Sequence, residues 1–451
     1  MLDTIVGIAT AAGEGGIAIV RLSGENAAAL FEQVFFPYNA KRKPPFESHR
    51  LMAGQVRDGS EAIDEAMGVV MYAPSSYTRE DVCEIHTHGG STASAAVVKL
   101  LIRLGARPAE AGEFTRRAFM NGRIDLMQAE AVMGVISAQS MAALKAEQRQ
   151  LSGGQSQFVR QAQSRLQTLL AGLEAHIDYP EEIDEDEATY GLLEGLNQLI
   201  AMLESAVDEK SARIIREGFH VALCGCPNAG KSTLFNALLG EEKAIVTDIP
   251  GTTRDVLDGS FTLDGVRVIL QDTAGLRESG DAVERIGVER ARGTLKQADA
   301  ALLLVDGSKE LNREEVRLLQ TPMPCPCAVL LSKRDKGSKV AIAQAESLTD
   351  CRPVLGISAV DGGGLAALRD YLRQFIRLPQ QLMLTHERHM QVAREVLERL
   401  RQARDGLANE QPLDLAAVDL HEALYLLGRI TGDSVDEQLL DEIFSHFCVG
   451  K

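Results

Sequence analysis

Along the first 118 residues, short apolar runs alternate with turn signals, so that residues 16–22, 68–72 and 81–87 predict strands and residues 91–104 predict a helix. Past Gly122 the turn signals thin out. Leu166, Leu169, Leu170 and Leu173 recur at helical spacing, predicting a mostly helical region interrupted by an acidic run at 181–187 that reads as a solvated loop. From about Phe219 the pattern changes again. The apolar runs 221–224, 266–270, 300–305, 328–331 and 354–357 alternate with helical stretches, which predicts a mainly parallel sheet with helices on its faces. Beyond Leu378 helical periodicity returns, with Val392, Val396 and Leu400 at four-residue steps. The helical segments on either side of the sheet are expected to pack together, leaving the sheet domain as an insertion whose ends lie close.

The chain has 451 residues, which suits about three domains. Its 45% hydrophobic and 25% charged content is that of an ordinary globular protein. The start, Met1-Leu2-Asp3-Thr4, has no basic region ahead of an apolar stretch, and runs such as 300–305 are too short to span a bilayer, so no membrane association is expected and the reading is cytoplasmic. Seven cysteines without a C-x-x-C pair suit reduced thiols better than a structural zinc site. A formal charge of −17 argues against nonspecific nucleic-acid binding, because phosphate contacts are made by lysine and arginine. A nucleic-acid partner would need a local basic patch or a helper protein.

Candidate chemistry concentrates in the sheet region. Gly225-Cys226-Pro227-Asn228-Ala229-Gly230-Lys231-Ser232 fits G-x-x-x-x-G-K-[ST] between a predicted strand and a predicted helix at 233–239, which opens with Thr233. In such a loop the glycines let backbone N–H groups face phosphates, Lys231 supplies a cation and the Ser232 hydroxyl binds Mg²⁺. Asp272-Thr273-Ala274-Gly275 ends a later strand, where the acid can hold the metal and the Gly275 amide can sense a γ-phosphate. Between them Thr247 to Asp255, including Gly251-Thr252-Thr253-Arg254-Asp255, forms a loop suited to closing over nucleotide and metal. Ser332-Lys333-Arg334-Asp335 follows another strand, with Asp335 placed to accept from the guanine edge, and Ser358-Ala359 completes a base pocket. Five elements in this order predict a GTPase.

Two departures stand out. Ser332 occupies the position of asparagine in the usual N-K-x-D motif, and losing one ordinary hydrogen bond there should weaken nucleotide binding by about 1 kcal/mol. Leu276 stands where many small GTPases carry the glutamine that orients the attacking water. Arg277, Glu278, Glu284 and Arg285 have suitable chemistry, and spacing alone does not choose among them.

With these residues in view the chain resembles the MnmE/TrmE family of tRNA-modification GTPases over essentially its whole length. The likeness is carried by the loop with Asn228, by residues 251–255 and 272–277, by Asn121-Gly122-Arg123-Ile124-Asp125-Leu126, and by the terminal Phe447-Cys448-Val449-Gly450-Lys451. The resemblance implies a multidomain α/β and α fold: an α+β folate-binding and dimerising domain at 1–118, a discontinuous helical domain at 119–213 and 378–451, and an inserted Ras-like P-loop GTPase domain at 214–377. It implies a homodimer that works with a flavoprotein, MnmG or GidA, in a heterotetramer or larger complex, with FAD on that partner only. The task implied is addition of a carboxymethylaminomethyl-type group to C5 of the wobble uridine of certain tRNAs, with a 5-formyl or 5,10-methylene tetrahydrofolate as one-carbon source. Hydrolysis in the family needs K⁺ and pairing of two GTPase domains. Residue by residue, K⁺ falls to Asn228, Thr247, Ile249 and Thr252, Mg²⁺ to Ser232 and Thr253, and the orientation of water to Glu284. Folate falls to Arg21, Glu80, Arg123 and Lys451, residue types that suit glutamate carboxylates and a pterin edge. Cys448 is implied in the modification chemistry.

Weaker signals remain. Gly13 to Ala18 fits G-x-G-x-x-A, but a strand follows it, so it reads as a turn. His86 and His88 share a strand face without a third ligand, and His386, Arg388 and His389 open a late helix. The rival reading is a GTP-switched RNA or ribosome assembly factor without modification chemistry, under which the folate pattern and the terminal F-C-V-G-K have no use.

Overall fold

The computed structural model describes residues 3–179, 185–240, 258–272, 293–349, 351–376, 378 and 384–451. The chain divides into two compact units, one of Met1–Ile136, Arg149–Leu203 and Gln391–Lys451, the other of Ser137–Gln148 and Glu204–Met390.

The first unit opens with a seven-stranded sheet. Its strands are β1 (Ile5–Ile8), β2 (Ile17–Ser23), β3 (Phe35–Pro37), β4 (Met52–Asp58), β5 (Glu61–Met71), β6 (Val82–His88) and β7 (Arg107–Pro108), in the order β3-β4-β5-β6-β2-β1-β7. Neighbours are antiparallel except β1 and β7. Helices α1 (Ala27–Val34) and α2 (Ser91–Arg103) bury Leu30, Phe31 and Val34, and Val97, Leu100 and Leu101, the i, i+3, i+4 faces that close the core over Val20, Leu22 and Ile85. After α3 (Glu113–Met120) and α4 (Leu126–Ser137) come α5 (Met141–Leu151), α6 (Gly154–Asp178) and α7 (Glu185–Ala206). Leu166, Leu170 and Leu173 of α6 are buried, and the helix Leu413–Thr431 packs along α6. Val392, Val396 and Leu400 are buried on the helix Glu387–Ala408.

The acidic run at 181–187 is not wholly a loop, as the sequence suggested: from Glu185 onward it is the first turn of α7.

The second unit holds α8 (Glu209–Glu217) and a six-stranded sheet of β8 (Phe219–Gly225), β9 (Asp258–Leu263), β10 (Val266–Asp272), β11 (Ala300–Asp306), β12 (Cys327–Ser332) and β13 (Val354–Gly356), in the order β13-β12-β11-β8-β10-β9. All neighbours are parallel except β9 and β10. Every residue of β11 and β12 is buried, because a separate apolar core lies against each face of the sheet. Ser137–Gln148, helical in sequence pattern, belongs to this unit: Ala142 N–H donates to the Gly265 carbonyl at 2.9 Å, and Arg267 bonds Gln139. His386, expected to open a late helix in a structural part, lies 3.0 Å from the buried Glu147 carboxylate and stacks on the buried His389. These histidines have a structural role.

Among the described residues no helix is long and apolar enough to cross a membrane.

Candidate nucleotide site and the N-terminal cation cluster

The five parallel strands of the second unit deliver their carboxyl ends to one edge of the sheet, the position at which open α/β sheets bind ligands. β8 ends at Gly225, β10 at Asp272, β11 at Asp306, β12 at Ser332 and β13 at Gly356. The loop after β8 leads into α9 (Lys231–Gly240), whose buried Leu234 and Leu238 anchor the helix to the sheet. Gly225, Asn228 and Gly230 have φ of 141°, 62° and 98°. Three left-handed residues in six curl the backbone, which is how successive N–H groups come to face one point at a helix N-terminus. A Cβ on Gly225 would lie 2.3 Å from the Leu304 carbonyl oxygen, so the neighbouring strand admits only glycine.

Lys231 Nζ donates to the carbonyls of Gly225 at 2.8 Å and Cys226 at 3.2 Å, which holds the ammonium over the loop. Ser232 and Thr233 lie exposed in the first turn of α9, and Ala229 is buried under the loop. Burial pushes the Asp272 carboxyl above the usual carboxylate range, with Lys231 pulling the other way. Its Oδ1 is buried without a hydrogen-bond partner among the described residues. An orphaned carboxylate oxygen at the end of β10 and an exposed serine hydroxyl after the phosphate loop are donor types that fit Mg²⁺.

The base-side segment is tied directly to the phosphate loop. Ser332, buried at the end of β12, donates from Oγ toward the Ala229 carbonyl at 2.5 Å and the Val305 carbonyl at 3.1 Å. Lys333 Nζ donates to the Asn228 carbonyl at 2.5 Å and to Asp306 Oδ2 at 2.7 Å. Asp335 is exposed and accepts from Ser358 Oγ at 3.1 Å, while Ala359 packs against the core beneath. Asp306 escaped the reading of the sequence, although a carboxylate closing the apolar run 300–305 was a usable signal. Thr247, Ile249, Thr252, Thr253, Thr273, Ala274, Gly275 and Glu284, with the other water-orienting candidates Arg277, Glu278 and Arg285, lie outside the described residues.

A second cluster forms in the first unit. The Arg21 guanidinium sits 5.4 Å from the centre of the Tyr77 ring and 5.7 Å from that of Phe114, and Arg123 sits 4.7 Å from the Tyr77 ring. Arg21 Nε donates to Glu84 Oε1 at 2.9 Å, and Arg123 Nη1 donates to the Tyr77 carbonyl at 3.0 Å. Burial pushes the Glu84 carboxyl up, but His86 and Arg21 together hold it below the usual range. Glu80 does not join the Tyr77 ring. Its carboxylate accepts from Ser23 Oγ at 2.6 Å and from Arg117 Nη1 at 3.1 Å.

The chain terminus reaches the same place. Val449 bridges to Ala111, Gly112 N–H donates to the Cys448 carbonyl at 3.4 Å, and Phe114 N–H donates to the Lys451 carbonyl at 3.2 Å. Arg21 Nη1 reaches the Gly450 carbonyl at 3.4 Å, and Cys448 is exposed. Tyr77 carried no signal in the sequence, since a lone tyrosine between strands reads as packing. His86 and His88 each face a carboxylate, Glu84 and Asp64, and among the described residues no group of three or more His, Cys, Asp or Glu could hold a metal.

A phosphate loop at the carboxyl edge of a parallel sheet, bound to an acidic base-reading segment on the adjoining strands, defines a P-loop GTPase joined to an α+β domain and a helical domain. Residues 4–123 match the family model described as GTP-binding protein TrmE N-terminus, and residues 126–448 match that of the MnmE helical domain. A protein of Listeria welshimeri named tRNA modification GTPase MnmE is 41% identical over 456 residues, covering 100% of this chain and 99% of its own. A Bacillus subtilis protein of the same name is 40% identical over 459 residues, covering 100% of both. Among solved structures, the G domain of the T. maritima FeoB iron transporter is 30% identical over 35% of this chain and 99% of its own, with a TM-score of 0.28. The chain belongs to the MnmE family of tRNA modification GTPases.

Proposed function

We propose that this chain hydrolyses GTP in a K⁺-activated reaction that requires two GTPase domains to pair in a homodimer, and that it acts in the cytoplasm. With a flavoprotein of the MnmG/GidA kind, which carries the FAD, it adds a carboxymethylaminomethyl-type group to C5 of the wobble uridine of certain tRNAs. The domain plan follows the family: folate binding and dimerisation at 1–118, a helical domain at 119–213 and 378–451, and the GTPase at 214–377.

Asn228, Thr247, Ile249 and Thr252 would hold K⁺, and Ser232 and Thr253, with Asp272, would hold Mg²⁺. Bound there, the cations would supply neutralisation of charge on the phosphoryl oxygens, work that an arginine finger does elsewhere for about 10³ to 10⁵ in rate. Lys231 and the curled backbone bind and orient the phosphates, Asp335 accepts from the guanine edge, and Glu284 orients the attacking water in place of the glutamine replaced by Leu276. Arg21, Glu80, Arg123 and Lys451 take the tetrahydrofolate derivative, and Cys448 serves the modification step.

The observation that carries this reading over a plain GTP-switched assembly factor is the docking of the C-terminal tail beside Arg21, Tyr77 and Arg123. It brings Cys448, Lys451 and two guanidiniums into one neighbourhood of the first unit. A switch that only changes shape has no use for such a cluster.

The deciding experiment is wobble-base analysis of tRNA from a strain lacking this gene, where an unmodified uridine C5 is expected and a normal modification pattern would reject the proposal. Within the GTPase step, Glu284→Ala is expected to abolish hydrolysis while GTP binding persists. Parallel loss of both would remove Glu284 from the role.

A further inference from the structure

Lys333 and Asn228 both occupy the left-handed region, at φ of 59° and 62°. Side chains enter it at a cost, which is smallest for asparagine. One ammonium group links the two: Lys333 Nζ spans from the Asn228 carbonyl to Asp306 Oδ2, at 2.5 and 2.7 Å. Asp306 is the last residue of β11 and is 7% exposed. Burial pushes its carboxyl up, yet the bonds from Lys333 and Ser308 bring it below the usual range, so it faces the ammonium as an anion. Its Oδ1 accepts from Ser308 N–H at 3.1 Å and Ser308 Oγ at 2.6 Å, which fixes the carboxylate plane and leaves Oδ2 for Lys333. The other cation nearby, Lys309, is exposed and its Nζ stays 4.0 Å from Oδ2.

We propose that Asp306 is a positioning residue for guanine-nucleotide binding, which acts through Lys333 to hold the Asn228 carbonyl and, with it, the curl of the phosphate loop. Among the described residues, the carboxylate's hydrogen bonding reaches the loop through the lysine. Without it the ammonium keeps a single carbonyl partner on a flexible stem, and the loop loses the contact that pins its left-handed asparagine. The inference rests on the GTPase class of the chain and not on the potassium or folate readings.

The test uses the full-length chain and N-methylanthraniloyl-GDP. Asp306→Ala is expected to speed release of this fluorescent nucleotide about tenfold, as suits a charge-assisted hydrogen bond. In a Lys333→Ala background, Asp306→Ala should add nothing further. A purely structural carboxylate would give the same loss whether or not the lysine is present. Unchanged release in Asp306→Ala, or effects that multiply fully with Lys333→Ala, would overturn the proposal. If Asp306→Ala does not fold, Asp306→Asn keeps the size and an acceptor oxygen; release about threefold faster is then expected, and wild-type release would overturn it.

Discussion

The two clusters of this chain are built in opposite ways. The phosphate loop is eight consecutive residues whose geometry is set by the backbone, through left-handed φ at Gly225, Asn228 and Gly230. The Tyr77 cluster draws Arg21 from a strand, Tyr77 from a loop, Arg123 from the α3–α4 connection and the last four residues from the far end of the chain, and side chains and tail hydrogen bonds hold it. A site made by backbone curl tolerates no change of conformation at its glycines and leaves a contiguous motif. A site made by convergence is only as stable as the least anchored segment that reaches it.

The sharpest way to break this comparison is to place a side chain at each site's tightest backbone contact. Gly225→Ala forces a side chain into φ 141° and sets its Cβ 2.3 Å from the Leu304 carbonyl, a backbone atom of the adjoining strand that cannot yield. Expected is about 3 kcal/mol of lost loop geometry, roughly a hundredfold in GDP affinity by calorimetry. Hydrogen exchange in the first unit should stay as in the wild type. Affinity within a factor of about three of wild type would show that curl is not what makes this loop.

Gly450→Val is the counterpart. Gly450 has φ 93°, and a Cβ there would come 2.1 Å from the Ile8 carbonyl, so the tail must lift from β1. The cost is about 1–3 kcal/mol and falls on docking. Amide exchange at Gly112 and Phe114, which donate to the Cys448 and Lys451 carbonyls, should accelerate by one to two decades, on the order of that cost. GTP hydrolysis without tRNA should be unaffected. Protected amides at 112 and 114 in this variant would mean that the tail is not anchored through Gly450.

The same contrast explains what the sequence made legible. β8, β11 and β12 were readable because buried parallel strands are near-continuous apolar runs, β10 because its buried residues alternate, and the motifs at their carboxyl ends follow from chain order alone. The short β1, the strand β4 and the helix α1 were not separated from the turns around them. β4 buries Met52, Gly54 and Val56, a set that includes a glycine, with Gln55 between the last two and Arg57 and Asp58 closing the strand, a composition too poor in strand formers to reveal it. The attachment of Ser137–Gln148 to the sheet unit was invisible, since its helical period says which face is apolar but not which partner covers it. Tyr77 was missed for a related reason, since it acquires meaning only from Arg21 and Arg123 far along the chain; the place of Asp306 at the end of an apolar run was readable, but its partner Lys333 was not.

The smallest expected effect tests whether the departure at Ser332 costs anything. The hydroxyl has one proton and faces two carbonyls, Ala229 and Val305, so its donor is spent inside the protein and none remains for nucleotide. Asparagine brings two N–H donors and a carbonyl acceptor on a side chain only slightly longer, into a neighbourhood left open by Gly230, where even a Cβ would stay 3.6 Å from Ser332 Oγ. Ser332→Asn can therefore keep the tether to the loop and offer a second group to the base. The expected gain is about 1 kcal/mol, close to fivefold in GDP affinity by calorimetry. Tail exchange in the first unit should not change. Equal or weaker affinity would mean that the hydroxyl's short bond to Ala229 already supplies what asparagine supplies elsewhere. The loop would then be held as firmly by one serine proton as by an amide, and the curl of the backbone, rather than the identity of its tether, would set nucleotide affinity in this chain.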